Sequence, residues 1–119
     1  MVSPNPLELD LPPDLTAPRA ARLALAALEP SDDAQLIVGE LVTNAVLHGA
    51  PPIRLSAIRL SAIPLGIRLR VEVRDARAEM GAPTESSRGL MIIDRIARAW
   101  GISPDPPAGK RVWAEIDVP

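Results

Sequence analysis

The stretch GELVTNAVLHGA, residues 39–50, sets three polar side chains into an otherwise apolar run: Glu40, Asn44 and His48. At about 100° per residue, these three side chains form one narrow stripe along a helix. A solvated helix face is normally broader and rich in paired charges. Burying a polar group without a hydrogen bond is costly, so a carboxylate and an amide in an apolar helix need partners. The stripe therefore either faces a ligand or lines a wet groove.

Capping signals bound this helix and predict another helix before it. Residues 31–33, Ser-Asp-Asp, can accept from the free N–H groups at its start, and Gly49 with two following prolines ends it. The preceding segment TAPRAARLALAALEP, residues 16–30, contains good helix formers. We expect Thr16 as its N-cap, Pro18 in its first turn and Pro30 at its end.

Three segments alternate apolar and polar residues with the period of a strand. PLELDL, residues 6–11, is expected to form an edge strand, since two prolines follow it. GIRLRVEVRDA, residues 66–76, predicts a strand that ends at Asp75, and RVWAEIDV, residues 111–118, predicts the last strand. Between them, RGLMIIDRIARAWG, residues 88–101, has apolar residues at helical spacing and predicts a third helix that ends at Gly101.

A five-residue unit occurs twice in tandem in IRLSAIRLSAI, residues 53–63. Side chains alternate faces with a period of two, so an odd repeat inverts the pattern. Ile53 and Leu55 share one face, whereas Ile58 and Leu60 fall on the other. One uninterrupted, half-buried strand is therefore not expected: either a bulge absorbs the change of face or one copy loops out. A recent slippage duplication would explain the repeat without a function.

Length and composition indicate one domain, residues 1–119, with an ordered core over about residues 7–118. Hydrophobic residues make up 47% and charged residues 24% of the chain, as is typical of globular proteins. Strands and helices joined by short connections predict an α/β fold of the α+β two-layer sandwich type. We expect one mixed, mostly antiparallel sheet with about three helices on one face.

Charge and composition also exclude several classes of function. The formal net charge of -2 provides no basic face for nucleic acid, whose binding depends on cations that neutralise phosphates. The chain has no cysteine and one histidine, which excludes a disulfide framework and a zinc site. Since no apolar run is long enough to cross a membrane, we expect no membrane partner and a cytoplasmic location.

Three further segments suggest that the ligand is a nucleotide. Asp75 ends an otherwise buried strand, and GKRVW, residues 109–113, starts the last strand. SRGL, residues 87–90, opens a helix whose free N–H groups and positive dipole end can hold an anion. Together with the polar stripe, these segments supply an acid, an amide and an anion cradle.

These motifs resemble those of the GHKL (Bergerat-fold) ATPase superfamily. Within it, the chain is most similar to the small bacterial histidine-kinase-like ATPases related to anti-sigma-factor serine/threonine-protein kinases. ELVTNAVLHG, residues 40–49, resembles the family's N-box, and Asp75 its first glycine-box aspartate. RGLMIIDRIARAWG resembles the second glycine box, and GKRVWAEI, residues 109–116, the closing strand. The resemblance spans residues 7–118 and implies the Bergerat ATP-binding fold, with ATP and Mg²⁺ as cofactors.

The resemblance assigns the phosphate end of the ligand to the N-box and to the second glycine box. Glu40 would be the catalytic general base, which polarises the attacking hydroxyl or water. Asn44 would supply a side-chain oxygen to Mg²⁺, which bridges the phosphates. Arg88 and the backbone N–H groups of Gly89 and Leu90 would hold phosphate oxygens.

The resemblance assigns the base end to Asp75, which would accept a hydrogen bond from the adenine amino group. His48 matches a common family position, and we interpret it as a packing or capping residue. Arg111 occupies the place in the closing strand where relatives often have a threonine that helps a water bridge to adenine.

The function implied is an ATP-binding regulatory protein, an anti-sigma-factor-type serine-protein kinase. Such a protein binds a sigma factor and transfers the ATP γ-phosphate to a serine of an anti-anti-sigma (STAS-type) partner. Relatives are often dimers, so the resemblance also admits a homodimer. The alternative is a non-catalytic regulator that acts through protein contacts. Two departures favour it: Asp75-Ala76-Arg77 replaces Asp-x-Gly, and Ser87-Arg88-Gly89 replaces Gly-x-Gly.

Overall fold

The computed structural model describes residues 6–61, 66–78 and 87–118. The elements follow in the order β1 (Leu7–Leu11), α1 (Ala17–Leu28), α2 (Asp32–His48), β2 (Ile53–Ser61), β3 (Ile67–Asp75), α3 (Ser87–Ile96), β4 (Ala99–Pro104) and β5 (Lys110–Val118). The five strands form one sheet in the order β1-β2-β3-β5-β4, with β1 at an edge as expected. Each neighbouring pair is antiparallel, so this sheet is not mixed.

The core lies between one face of the sheet and the helices. Alternate residues of the three central strands are buried on that face, and α2 supplies the apolar side chains that meet them. Burying one such side chain contributes about 1.5–3 kcal/mol, so this layer holds the fold together. The core is aliphatic because the chain has no Phe or Tyr. Its largest members include Ile37, Val38, Leu41, Val42, Ile53, Leu55, Leu69, Val71, Val73 and Ile116.

The caps of α2 and the N-cap of α1 lie where the sequence predicts them, but the N-cap of α1 makes no side-chain capping bond. The Ser31 hydroxyl accepts a hydrogen bond from Ala34 N at 3.3 Å, and Gly49 is the C-cap. Thr16 occupies the N-cap position of α1 but makes no side-chain capping bond. Its hydroxyl donates instead to Asp14, and this bond, with a second from the Thr16 backbone, lowers the pKa of Asp14.

Residues 53–61 of the tandem repeat form one continuous strand, so the expectation of a bulge or loop within them was wrong; the last two residues of the repeat lie outside the described ranges. The register between β2 and β3 is constant from end to end. Past the first copy, the helix-facing position is taken by Arg59, which donates to the Leu28 carbonyl at 3.2 Å. The guanidinium also lies 3.9 Å from the Glu29 carboxylate. The C-terminal end of α1 thus accepts the charge that the inverted pattern turns towards the helices.

The third helix ends at Ile96, before the predicted end at Gly101, and the next residues form β4. Arg98 N donates to the Glu115 carbonyl at 2.7 Å, which attaches the chain to the sheet. Trp100 continues the helical spacing but packs against the core from β4. A side chain on the inner face of an edge strand and one on the inner face of a helix have the same apolar character, so spacing alone did not separate them.

Within the described residues, none of the helices is both long enough and apolar enough to cross a membrane.

Candidate functional site

The polar stripe of α2 faces the first turn of α3. Gly89 is buried there, and a methyl group added to it would lie 2.7 Å from Glu40 Oε2. The same methyl group would lie 3.6 Å from Asn44 Nδ2 and 3.7 Å from Asn44 Oδ1. The structure therefore brings three of the proposed site residues together, and the absence of a side chain at position 89 is what lets the two elements approach.

Glu40 and Asn44 are both half-buried, and neither side chain bonds to another residue that the structure describes. Polar side chains removed from bulk water normally have a hydrogen-bond partner. A carboxylate and an amide without one are available to a group from outside the chain. Both side chains lie beside the start of α3 and are not part of the aliphatic core.

The start of α3 provides N–H groups for an anion. The first four N–H groups of a helix have no acceptor within that helix, and they carry the positive end of its dipole. In α3 these belong to residues 87–90, which include Arg88, Gly89 and Leu90. Leu90 is partly buried against the core and fixes this turn in place. The Arg88 side chain lies outside the part of the chain that the structure describes.

Asp75 lies at a second position, where β3 ends. Its side chain is 1% exposed. Its Oδ1 atom accepts hydrogen bonds from Ala50 N at 3.4 Å, Arg77 N at 2.9 Å and Lys110 Nζ at 3.1 Å. The carboxylate is therefore held rigidly by two backbone donors and one cation, all on the same oxygen.

Two glycines, each next to a neighbouring element, lie in close contact with Asp75. A methyl group on Gly49, the C-cap of α2, would lie 2.5 Å from the Asp75 Cγ atom. Gly109 precedes β5 with a φ of +128°, and a methyl group there would overlap the Asp75 carbonyl oxygen. Asp75 thus occupies the point where α2 ends, β3 ends and β5 begins.

Asp75 and the Glu40–Asn44 pair lie at different heights along α2. Asp75 contacts the C-cap, whereas Glu40 is in the middle of the helix. At 1.5 Å per residue, Glu40 and Gly49 are separated by about 13 Å along the helix axis. A single ligand that contacts both groups must therefore be extended, with one end at Asp75 and the other at the start of α3.

Lys110 was missed by the sequence analysis. Its side chain is 12% exposed and donates to the Asp75 carboxylate at 3.1 Å and to the Arg77 carbonyl at 3.3 Å. The available signal was compositional, because Lys110 is the single lysine among thirteen basic residues.

Arg111 does not lie near Asp75. The register of β3 and β5 places Lys110 opposite Asp75 and Arg111 opposite Arg74. Because successive side chains point to opposite faces, Arg111 belongs to the sheet face that is turned away from the helices. The Arg111 side chain is therefore directed away from Asp75.

A contact between residues distant in sequence, Arg77 and His48, connects the last turn of α2 to the end of β3. The Arg77 guanidinium donates to the His48 carbonyl at 3.3 Å. His48 itself is half-buried in that turn. Arg77 therefore helps to join the end of β3 to the end of α2, and cations near the last carbonyls of a helix are favoured by its dipole.

A divalent metal would need oxygens from its ligand at this site. The described residues contain no group of three His, Asp or Glu side chains that could hold a metal ion. Asn44 Oδ1 and Glu40 Oε2 nevertheless approach the same point beside Gly89. Magnesium is commonly bound by one or two protein oxygens together with phosphates and waters. The donor set fits a magnesium–phosphate complex and does not fit a metal held by the protein alone.

Comparison of the chain with models of known protein families found no match, and neither did a search of curated proteins.

Proposed function

We propose that this chain is an ATP-binding regulatory protein with the Bergerat fold of the GHKL superfamily. Its activity is that of an anti-sigma-factor-type serine-protein kinase. One observation carries the proposal: Glu40 and Asn44, half-buried and without partners among the described residues, adjoin Gly89 in the first turn of α3. An acid, an amide and free N–H groups at one place are what a magnesium-bound phosphate requires.

The phosphates of ATP lie against the first turn of α3 in this proposal. The N–H groups of Gly89 and Leu90 donate to phosphate oxygens, and the dipole of α3 favours their negative charge. Asn44 Oδ1 would ligate Mg²⁺, and Arg88 would be a further phosphate ligand. Bound Mg²⁺ neutralises phosphate charge.

Glu40 is the general base of the transfer. A serine hydroxyl oxygen of the partner forms a bond to the γ-phosphorus, while the bond from that phosphorus to the bridging oxygen breaks and ADP leaves. The Glu40 carboxylate takes the hydroxyl proton, which would otherwise make the attacking oxygen a weak nucleophile.

The adenine ring lies at Asp75. Its exocyclic amino group donates to Asp75 Oδ2, since Oδ1 already accepts three hydrogen bonds. An ionised carboxylate has about four lone-pair sites, so this further bond is within its capacity. Lys110 holds the carboxylate in orientation for the base. The length of α2 between Asp75 and Glu40 suits an extended nucleotide.

The partners proposed are a sigma factor, which the protein binds, and a STAS-type anti-anti-sigma protein, which carries the acceptor serine. A homodimer is the proposed assembly, and the proposed location is the cytoplasm. These assignments rest on the family resemblance of the N-box and the glycine boxes, so the test of ATP binding comes first.

We expect ATP to bind to the wild-type protein only in the presence of Mg²⁺, and Asn44→Ala to weaken that binding at least tenfold. The side-chain oxygen that the metal needs is missing in this variant. Isothermal titration with and without Mg²⁺ measures both effects. Thr43→Ala is the matched control, since residue 43 lies about 100° away around the helix. Absence of binding to the wild type at millimolar ATP would contradict the proposal.

We expect Glu40→Gln to reduce transfer of labelled phosphate by about a hundredfold while ATP still binds, because the amide cannot accept the proton. The assay uses γ-labelled ATP and a STAS-type protein as acceptor. A variant that loses ATP binding and transfer together would assign Glu40 to ligand binding instead of base catalysis.

A non-catalytic regulator is the second candidate. The observation that favours it is the ion pair between Lys110 and Asp75, which occupies part of the carboxylate proposed to bind adenine. In this case the polar contacts near Asp75 only hold α2, β3 and β5 together. Binding of a sigma factor that is unchanged by ATP and by Asn44→Ala would select this candidate.

A further inference from the structure

The sheet face turned away from the helices carries a row of three arginines on neighbouring strands. The register places Arg54 of β2 opposite Arg74 of β3, and Arg74 opposite Arg111 of β5. Adjacent strands are about 4.8 Å apart. Like charges directly opposite each other destabilise a sheet. The row is therefore a feature that the fold carries at a cost.

Most arginines on this face of the sheet are paired with acidic residues. Among the described residues, Arg74 is paired only weakly and Arg111 is not paired. Arg54 is held by Asp10 at 2.6 Å and by Glu8 at 3.2 Å. Within the described residues, Arg74 makes one ion pair, 3.7 Å long, to Glu72, whose carboxylate is already bound by Arg70 at 3.1 Å. Positive charge thus accumulates at Arg74.

Arg111 adds to that charge. Its side chain makes no ion pair or hydrogen bond with any residue in the described ranges. Arg111 and Arg74 thus lie opposite each other on neighbouring strands. Within the described residues, the one carboxylate paired with either of them is that of Glu72, 3.7 Å from Arg74. An oxyanion placed between the two guanidiniums turns a repulsive contact into two attractive ones.

Buried hydrogen-bond donors without acceptors occur on the same face of the sheet. Three buried side-chain atoms have no hydrogen-bond partner among the described residues: Arg74 Nε, Arg111 Nε and Ser56 Oγ. Ser56 and Arg74 also line one groove of about 320 Å³, together with Glu8, Arg70 and Glu72, whereas Arg111 lies beside the groove's lining and is not part of it. Buried polar groups are normally satisfied, so the unpartnered Nε atoms of two arginines that face each other across neighbouring strands indicate a place for an acceptor.

We propose that this end of the sheet binds a small oxyanion of the phosphate class, which we call the sheet-face site. Arg74 and Arg111 bind the anion from two adjacent strands. The site is separate from the proposed nucleotide site, because Lys110 and Arg111 point to opposite faces of the sheet. It does not depend on ATP binding.

The test is thermal unfolding in phosphate buffer against chloride at matched ionic strength. Phosphate is expected to raise the Tm of the wild type, since a ligand that binds only the folded state stabilises it. Arg111→Gln and Arg74→Gln are expected to weaken phosphate binding at least tenfold. Arg68→Gln is the matched control: Arg68 lies on the same face of β3 and is paired with Glu115 and Asp117. This control keeps the phosphate effect.

A second readout separates a binding role from a structural one. Without phosphate, Arg111→Gln is expected to raise the Tm, because it removes the like-charge contact with Arg74. An arginine that only supports the sheet would lower the Tm when replaced. Equal stabilisation of wild type and Arg111→Gln by phosphate would overturn the proposal. So would a wild-type dimer that Arg111→Gln dissociates without any phosphate effect, since the row would then be a contact between two copies.

Discussion

Replacing Lys110 with methionine is expected to lower the free energy of unfolding by about 3–5 kcal/mol. Methionine keeps the length of the stem but removes the charge, so the Asp75 carboxylate stays buried with a 1% exposed side chain and no cation. A buried ion pair adds little net stability when both partners are present. Removal of one partner is costly because the other charge is left uncompensated. Chemical denaturation monitored by circular dichroism measures the change.

Arg98→Met is the control for Lys110→Met. Arg98 pairs with Asp117 at 3.0 Å, but both side chains are 57% exposed. Solvent screens such a pair, so this change is expected to have little effect on the free energy of unfolding. The double variant Asp75→Asn with Lys110→Met should be more stable than Lys110→Met alone, because no buried charge remains. A loss in Lys110→Met no larger than that in Arg98→Met would show that the pair is effectively solvated.

The elements that could be predicted are those in which independent local signals agree. In α2, the apolar run, the Ser31 cap and the Gly49 end all point to the same boundaries, and the helix lies there. In β3 and β5, strict alternation coincides with burial on one face. Local agreement of this kind does not depend on which other element packs against the segment.

The elements that could not be predicted depend on tertiary partners. Arg59 can face the helices because the end of α1 accepts its guanidinium, and no local pattern places Leu28 beside it. The start of β4 depends on the bond from Arg98 to Glu115, a residue of a later strand. An apolar spacing that fits both helix and strand is decided by such partners, not by propensity.

The residues of the candidate site also fall into two groups: those that the local sequence predicts and those that depend on tertiary partners. Glu40 and Asn44 are recognisable because their spacing on α2 is a local property of a helix. That they lie close to Gly89 could be predicted only with the help of the family resemblance. Lys110 became visible only through the register that sets it opposite Asp75. A register shift of one residue would turn Lys110 to the other face, so its role could not be inferred without the paired strand.

Gly109→Ala is expected to lower the free energy of unfolding by about 3–5 kcal/mol, the sum of a backbone cost and a steric cost. The φ of +128° lies in a region that residues with a side chain rarely adopt. The added methyl group would also overlap the Asp75 carbonyl oxygen and come within 3.3 Å of the Ala76 Cα atom. Both are backbone atoms, so no side-chain rotation relieves the overlap.

Gly66→Ala isolates the steric part of that loss. Gly66 also has a positive φ, of +93°, but among the described residues an added methyl group would meet nothing nearer than the Val118 carbonyl oxygen at 3.9 Å. This variant is expected to cost about 1–2 kcal/mol, from the backbone conformation alone. Denaturation midpoints of the two variants give the difference. If they are equal, β5 can move away from Asp75 without loss, and the close contact does not fix the start of that strand. If Gly109→Ala is the less stable, the contact is what holds Lys110 within reach of the Asp75 carboxylate.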